Sequence, residues 1–212
     1  MKTRLIPAAA VAAAAVVSIA AGAVADDKAK THPEPAALAA MMKSSWSKVQ
    51  PDEWKTRLET DEVQALCNLY RNAPPPDVAA KIQAAAAAGV VYPADGKVVG
   101  DWKKGLALAN NGRGGQFSDG PDTVNGGNCY ACHQMDPKEV SFGTLGPSLT
   151  GYGKAKGYAA AAARDAYAKI YNSHTTLACS NMPRFGPSKF LSEAQIKDAV
   201  AALFDPESPV NK

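Results

Sequence analysis

Gly127-Asn128-Cys129-Tyr130-Ala131-Cys132-His133 is the stretch on which the reading of this chain turns. Two cysteines with two residues between them, and a histidine directly after the second, form the C-x-x-C-H pattern of covalent haem attachment. The spacing has a geometric reason. Thiols so placed reach both vinyl groups of one porphyrin, and the two thioether links then hold His133 beside the iron. A thioredoxin-like redox pair would sit between a strand and a helix of a βαβ unit, whereas a Gly-rich polar loop, Gly112 to Gly127, precedes this motif. Half of a zinc site would need a second ligand pair, and the other cysteines, Cys67 and Cys179, are isolated. One covalently bound haem c is the cofactor expected.

An iron held by His133 has a second axial position to fill, leave open or give to water. Met182 is the leading candidate. It lies in Asn181-Met182-Pro183-Arg184-Phe185-Gly186, just before the last helical segment, and Pro183 drives the preceding residue into an extended backbone that stiffens the loop presenting the sulfur. His174 and Cys179 are rivals, as is an open site. Met135 is too close to His133 to reach the opposite face of a porphyrin, and Met41 and Met42 read as core filling. The free ring N–H of His133 needs an acceptor that fixes its tautomer, and the Pro147 carbonyl in Gly146-Pro147-Ser148-Leu149-Thr150-Gly151 is the choice. Arg184, and with less reason Arg164, could pair with haem propionates. Cys67 and Cys179 are left over after haem attachment. In an exported chain they are expected to form a disulfide that ties an N-terminal segment to the Met182 loop, two free thiols being the other reading. Closing so long a loop would contribute about 4–5 kcal/mol by the chain-entropy model.

Around this centre the chain reads as helical. Asp101 can cap a short helix to Asn110 that carries Trp102, Leu106 and Ala109 on one side. Tyr158 to Tyr171 is an Ala-rich helical segment. Ser192-Glu193-Ala194-Gln195 is a capping box opening a helix whose stripe is Ile196, Ala199, Val200, Leu203 and Phe204, closed by Asp205-Pro206. Upstream, Ala36 to Tyr70 is helical in pattern. Val63, Leu66, Cys67 and Tyr70 recur at helical spacing, with Thr60 as N-cap. Pro74 to Pro76 stop it, Asp77 to Ala88 resume it, and Val90 to Val99 form a small hairpin or an extended connection. Residues 26–95 are accordingly a helical N-terminal extension, and residues 96–212 the haem-bearing domain.

The first 25 residues place Lys2 and Arg4 ahead of an uncharged, Ala-rich run ending Ala23-Val24-Ala25, the pattern of a secretory signal removed after Ala25. An uncleaved membrane anchor is the other reading. No cysteine follows the leader to carry a lipid, so an exported, periplasmic chain without a membrane association is expected. Asp26 to Glu34 reads as a flexible start. With 212 residues, 46% hydrophobic and 20% charged, the chain suits a globular domain plus an extension and fits neither disorder nor collagen. A net charge of +3, two of whose cations lie in the leader, gives no footprint for nucleic acid.

Taken together, Gly127–His133, Gly146-Pro147-Ser148-Leu149-Thr150-Gly151-Tyr152-Gly153, Ile170-Tyr171-Asn172 and Asn181-Met182-Pro183-Arg184-Phe185-Gly186 resemble the SoxX family, the small mono-haem cytochrome subunits of the SoxAX complex of bacterial thiosulfate oxidation. The haem motif and the terminal helix are general to class I c-type cytochromes; the M-P-R-F-G run with Tyr171-Asn172 before it is the more specific part. The resemblance covers about residues 96–206. It implies a mainly α, class I cytochrome c fold, iron held by His133 and Met182, and a heterodimer with SoxA. It further implies that the chain is the electron-accepting subunit of an L-cysteine S-thiosulfotransferase. There the catalytic haem sits on the partner, thiosulfate is coupled to a cysteine of the carrier SoxYZ, and a small periplasmic cytochrome takes the electrons onward. The chain itself has no nucleophile constellation, His133 being committed to iron. A stand-alone periplasmic electron shuttle is one alternative, and a haem enzyme or sensor with an open sixth position is another.

Overall fold

The computed structural model describes residues 35–48, 58–116, 118–120 and 122–212. The leader, its cleavage site and Asp26 to Glu34 lie outside the described residues. Contacts divide the chain into two compact units, residues 1–50 and 51–212. In the first, α1 spans Pro35–Ser45, and Met41, expected as core filling, is exposed.

Among its described residues the second unit contains the C-x-x-C-H motif and six helices: α2 (Glu62–Leu69), α3 (Pro76–Ala88), α4 (Trp102–Asn110), α5 (Tyr152–Ala155), α6 (Ala160–Tyr171) and α7 (Glu193–Phe204). Short 3-10 turns lie at Cys129–Ala131, Ser173–Thr175 and Pro209–Asn211. No strand occurs among the described residues, and none of their helices is long and apolar enough to cross a membrane. Val90 to Val99 is an extended connection with a turn closed by the Gly96 N–H donating to the Pro93 carbonyl, and not a hairpin.

The frame is the crossing of α4 and α7. Gly105 makes it possible: a β-carbon there would collide with the Asp198 carbonyl oxygen and stand 2.9 Å from the Ala202 β-carbon. The crossing is pinned by the Gly100 N–H, 2.9 Å from the Lys197 carbonyl, and the Asp101 N–H, 2.8 Å from Asp198 Oδ1. Asp101 also caps α4, accepting from Lys103 N–H at 2.8 Å. The buried face of α4 is Gly105, Leu108 and Ala109, one step round from the stripe expected from Trp102, Leu106 and Ala109, because the glycine rather than the tryptophan faces α7. On α7 the whole expected stripe is buried, along with Ala201 and Ala202. Burying Ile196 and Val200 there contributes about 1.5–3 kcal/mol each. The capping box at Ser192 and Gln195 is formed, and the last carbonyls of α7 are taken up by Ser208 Oγ and Asn211 Nδ2, which donate to Ala202 and Leu203.

A second, smaller core lies under the N-terminal segment. Cys67 of α2 and Ile82 of α3 pack with Ala178 and Cys179, and Gln83 Nε2 donates to the Thr176 carbonyl at 2.8 Å. The N-cap of α2 is Asp61, not Thr60. Its carboxylate accepts from the Gln64 N–H while the Gln64 side chain returns to the Asp61 N–H, a reciprocal pair that threonine one residue earlier cannot make.

Candidate functional site

The haem motif is a single tight turn. Asn128 enters it in the left-handed region with φ 46°, the Cys132 N–H donates to the Cys129 carbonyl at 3.1 Å and the His133 N–H to the same carbonyl at 2.9 Å. Both thiols and the imidazole therefore project from one turn of backbone. The Gly127 N–H, 2.9 Å from the Leu108 carbonyl, and the Asn128 N–H, 3.0 Å from that of Asn111, fasten the turn to the end of α4. Cys129 and Cys132 are both free thiols. Burial pushes the Cys129 thiol up to about 11.

His133 Nδ1 lies 2.7 Å from the Pro147 carbonyl oxygen. Donation from Nδ1 leaves Nε2 unprotonated and able to bind a metal. The ring is seated against Gly146, where any β-carbon would collide with the imidazole, and the Gly146 N–H donates to the Cys132 carbonyl at 2.9 Å. The same loop is tied down further along by the Leu149 N–H, 2.8 Å from the Gln134 carbonyl, and by Thr150 Oγ1, 2.9 Å from the Met135 carbonyl. Met135 is buried in the main core.

A cavity of about 880 Å³ opens beside this turn. Gly127 and Asn128, the two residues before Cys129, form part of its wall. Met182 and Phe185 form another part; Cys129, Cys132, His133 and Pro147 do not line it. Met182 is half-buried, and its backbone is held at both ends: Ser173 Oγ donates to its carbonyl at 2.6 Å, and its N–H donates to Ser180 Oγ at 3.2 Å. These two serines carry no motif of their own in the sequence.

The two rival ligands also reach this cavity. Cys179 is bound to Cys67 in a disulfide, Cα–Cα 5.4 Å, and is thereby withdrawn from metal binding. His174 is buried, with no hydrogen-bond partner at Nδ1. Burial, and then the Arg184 cation, hold its imidazole below the ordinary 6.5. Arg184 lines the cavity with its guanidinium 2.6 Å from Asp61 Oδ2. Desolvation works to raise the Asp61 carboxyl, but the Gln64 N–H and Arg184 outweigh it and hold the group below its ordinary 3.8. Arg164 is elsewhere, stacked 3.6 Å above the Tyr92 ring.

These residues fit a haem. The turn that carries Cys129, Cys132 and His133 adjoins the cavity through Gly127 and Asn128, the Pro147 carbonyl accepts from His133 Nδ1, Met182 stands on the cavity wall, and Arg184, paired with Asp61, lines it as well. Among the described residues no group of three or more His, Cys, Asp or Glu is arranged to hold a metal ion.

Residues 117–202 match the Cytochrome c family model. An uncharacterized lipoprotein of Aquifex aeolicus (strain VF5) is 45% identical over 127 residues, a region that spans 59% of this chain and 59% of the relative. The match with that relative thus leaves two-fifths of each chain outside it. Residues 117–202 are thus similar to the Cytochrome c family, and with the helical architecture of the described residues and the C-x-x-C-H turn they fit a mainly α, class I cytochrome c fold.

Proposed function

We propose that this chain carries one haem c, bound through Cys129 and Cys132 with His133 and Met182 as axial ligands, and serves as the electron-accepting subunit of a SoxAX-type L-cysteine S-thiosulfotransferase in the periplasm. The observation that carries the reading is the Met182 loop. The M-P-R-F-G run is the specific part of the resemblance, and here it lines the cavity beside the Cys129 turn with its backbone held at both ends. The lipoprotein relative and the c-type haem motif both fit a site of action outside the cytoplasm.

The haem supplies one-electron redox chemistry at the iron. The chain's own residues do the rest. Cys129 and Cys132 would fix the group, Pro147 orients His133, and Met182 with His133 as ligands would favour a higher potential than two histidines, as suits an acceptor. Joining a carrier thiolate to the outer sulfur of thiosulfate forms one S–S bond and releases two electrons, which this subunit accepts one at a time. The partner SoxA holds the catalytic haem, and a small periplasmic cytochrome is the onward acceptor.

Expression of the holoprotein with its genomic neighbours tests this. The expected result is co-purification with a haem-bearing partner, and reduction of this chain's haem by thiosulfate only when carrier and partner are both present. A clean monomer whose haem stays oxidised under those conditions refutes the subunit reading and leaves a stand-alone shuttle. Separately, the oxidised protein should show the weak near-infrared sulfur-to-iron charge-transfer band, and Met182→Ala should abolish it.

A further inference from the structure

Met182 sits between two tethers that lead to the same helix. Three residues before it, Cys179 is joined by the disulfide to Cys67 in the last turn of α2; two residues after it, Arg184 is paired with Asp61, the N-cap of α2. The two ends of one short helix thus grip the methionine loop on either side of its sulfur. The grip is anchored in packing as well. Cys67 and Cys179 belong to one buried cluster with Ile82 of α3 and Ala178, and α3 is fastened to the same loop by Gln83 at the Thr176 carbonyl. Cys179 holds a left-handed backbone, φ 58°, uncommon for a residue with a β-carbon, and the disulfide fixes the chain there. The next residue, Ser180, is the one whose hydroxyl accepts the Met182 N–H. A continuous mechanical path therefore runs from Cys67 through Cys179 and Ser180 to Met182.

We propose that α2 is a clamp that keeps the Met182 sulfur on the iron, with Cys67, Cys179, Asp61 and Arg184 as positioning residues for the axial ligand. This rests on the reading of Met182 as that ligand. The physical argument is one of competition. An Fe–thioether bond is the weaker of the two axial bonds, and a loop free to swing away exposes the iron to water or to added ligands. Two fixed points close to the sulfur remove most of the positions the loop could otherwise visit, and so lower the population in which the sixth position is open. The N-terminal segment thereby acquires a role in setting what the iron can bind.

Asp61→Asn isolates the ion pair, since asparagine is as good an N-cap and α2 is kept. It also leaves Arg184 in place for any propionate contact. Cys67→Ser/Cys179→Ser removes the other tether. In the oxidised holoprotein, the charge-transfer band and far-UV circular dichroism are followed together through a urea titration, and carbon monoxide binding is measured on the reduced protein. In the wild type, band and helix are expected to disappear together, with little carbon monoxide bound. In Asp61→Asn the population open to carbon monoxide should rise about two- to fivefold. In the double serine variant the band should be lost at urea concentrations where helix persists. If the wild type shows the band and both variants keep it through to global unfolding with unchanged carbon monoxide binding, the clamp is overturned and the ligand reading stands. If the wild type has a covalent haem but no band, the ligand reading itself fails, and the clamp with it.

Discussion

The Pro147 carbonyl oxygen stands 2.7 Å from His133 Nδ1. One backbone acceptor thereby orients the imidazole, and Gly146, immediately before it, supplies the empty space in which the ring lies. Orientation and room for the histidine come from two consecutive residues of a loop that contains no titratable side chain between Gly146 and Gly151.

Gly146→Ala puts a methyl group into the imidazole. Because the ring is fixed by its bond to Pro147 and by the turn that carries it, the loop has to move, at a cost of about 1–3 kcal/mol. Thermal unfolding of the holoprotein should fall accordingly, and the visible spectrum should report a perturbed histidine ligand. An unaltered spectrum and midpoint would show that the ring has more freedom than its packing indicates.

Replacing both thiols, Cys129→Ala with Cys132→Ala, removes the two covalent links and should leave a haem that acidified organic solvent extracts, whereas the wild-type pigment stays with the polypeptide. Either single substitution should leave one thioether and resist extraction. Absorbance of the two phases after extraction settles it; pigment retained by the double variant would mean that attachment lies elsewhere.

Gly105→Ala tests the frame on which the site hangs. Alanine improves helix propensity by about 1 kcal/mol, but its β-carbon meets the backbone oxygen of Asp198, which cannot rotate away. Overpacking of about 1–3 kcal/mol should win. Urea denaturation is expected to show a net loss of stability, and a net gain would place α4 and α7 further apart than the structure has them.

His174 provides a pH signature. Its folded-state pKa lies below the ordinary 6.5, chiefly through burial and then the Arg184 cation. The unfolded chain thus takes up the proton first as the pH falls, so the stabilisation is complete above about pH 6.5 and is lost as the pH drops through the lower folded value. The wild type should lose stability between pH 7 and 5 more steeply than His174→Gln in urea titrations. Asp61, held below 3.8, titrates beneath that window. Parallel pH profiles of the two proteins would exclude a buried neutral histidine.

Local rules made much of the molecule legible. The capping box at Ser192 and Gln195 specified the start of α7, its stripe specified the buried face, and Asp101 specified the start of α4, because caps and helical periodicity are written in neighbouring residues. The haem motif was legible for the same reason, its geometry being contained in one turn. The exact face of α4 and the cap of α2 were not. The first depends on Gly105 meeting a residue far along the chain, and the second on Asp61 rather than Thr60 reaching the Gln64 N–H.

Sequence alone therefore indicated a helical chain, a C-x-x-C-H turn at 129–133, and a disulfide between Cys67 and Cys179, which the structure contains. Only the tertiary structure decided that Arg184 meets Asp61, that Ser173 and Ser180 hold Met182, and that His174 is buried without a partner for Nδ1. The reason is distance along the chain: caps and stripes are set by residues within a turn of one another, whereas the ion pair spans 123 residues and exists only once α2 and the Met182 loop have packed together.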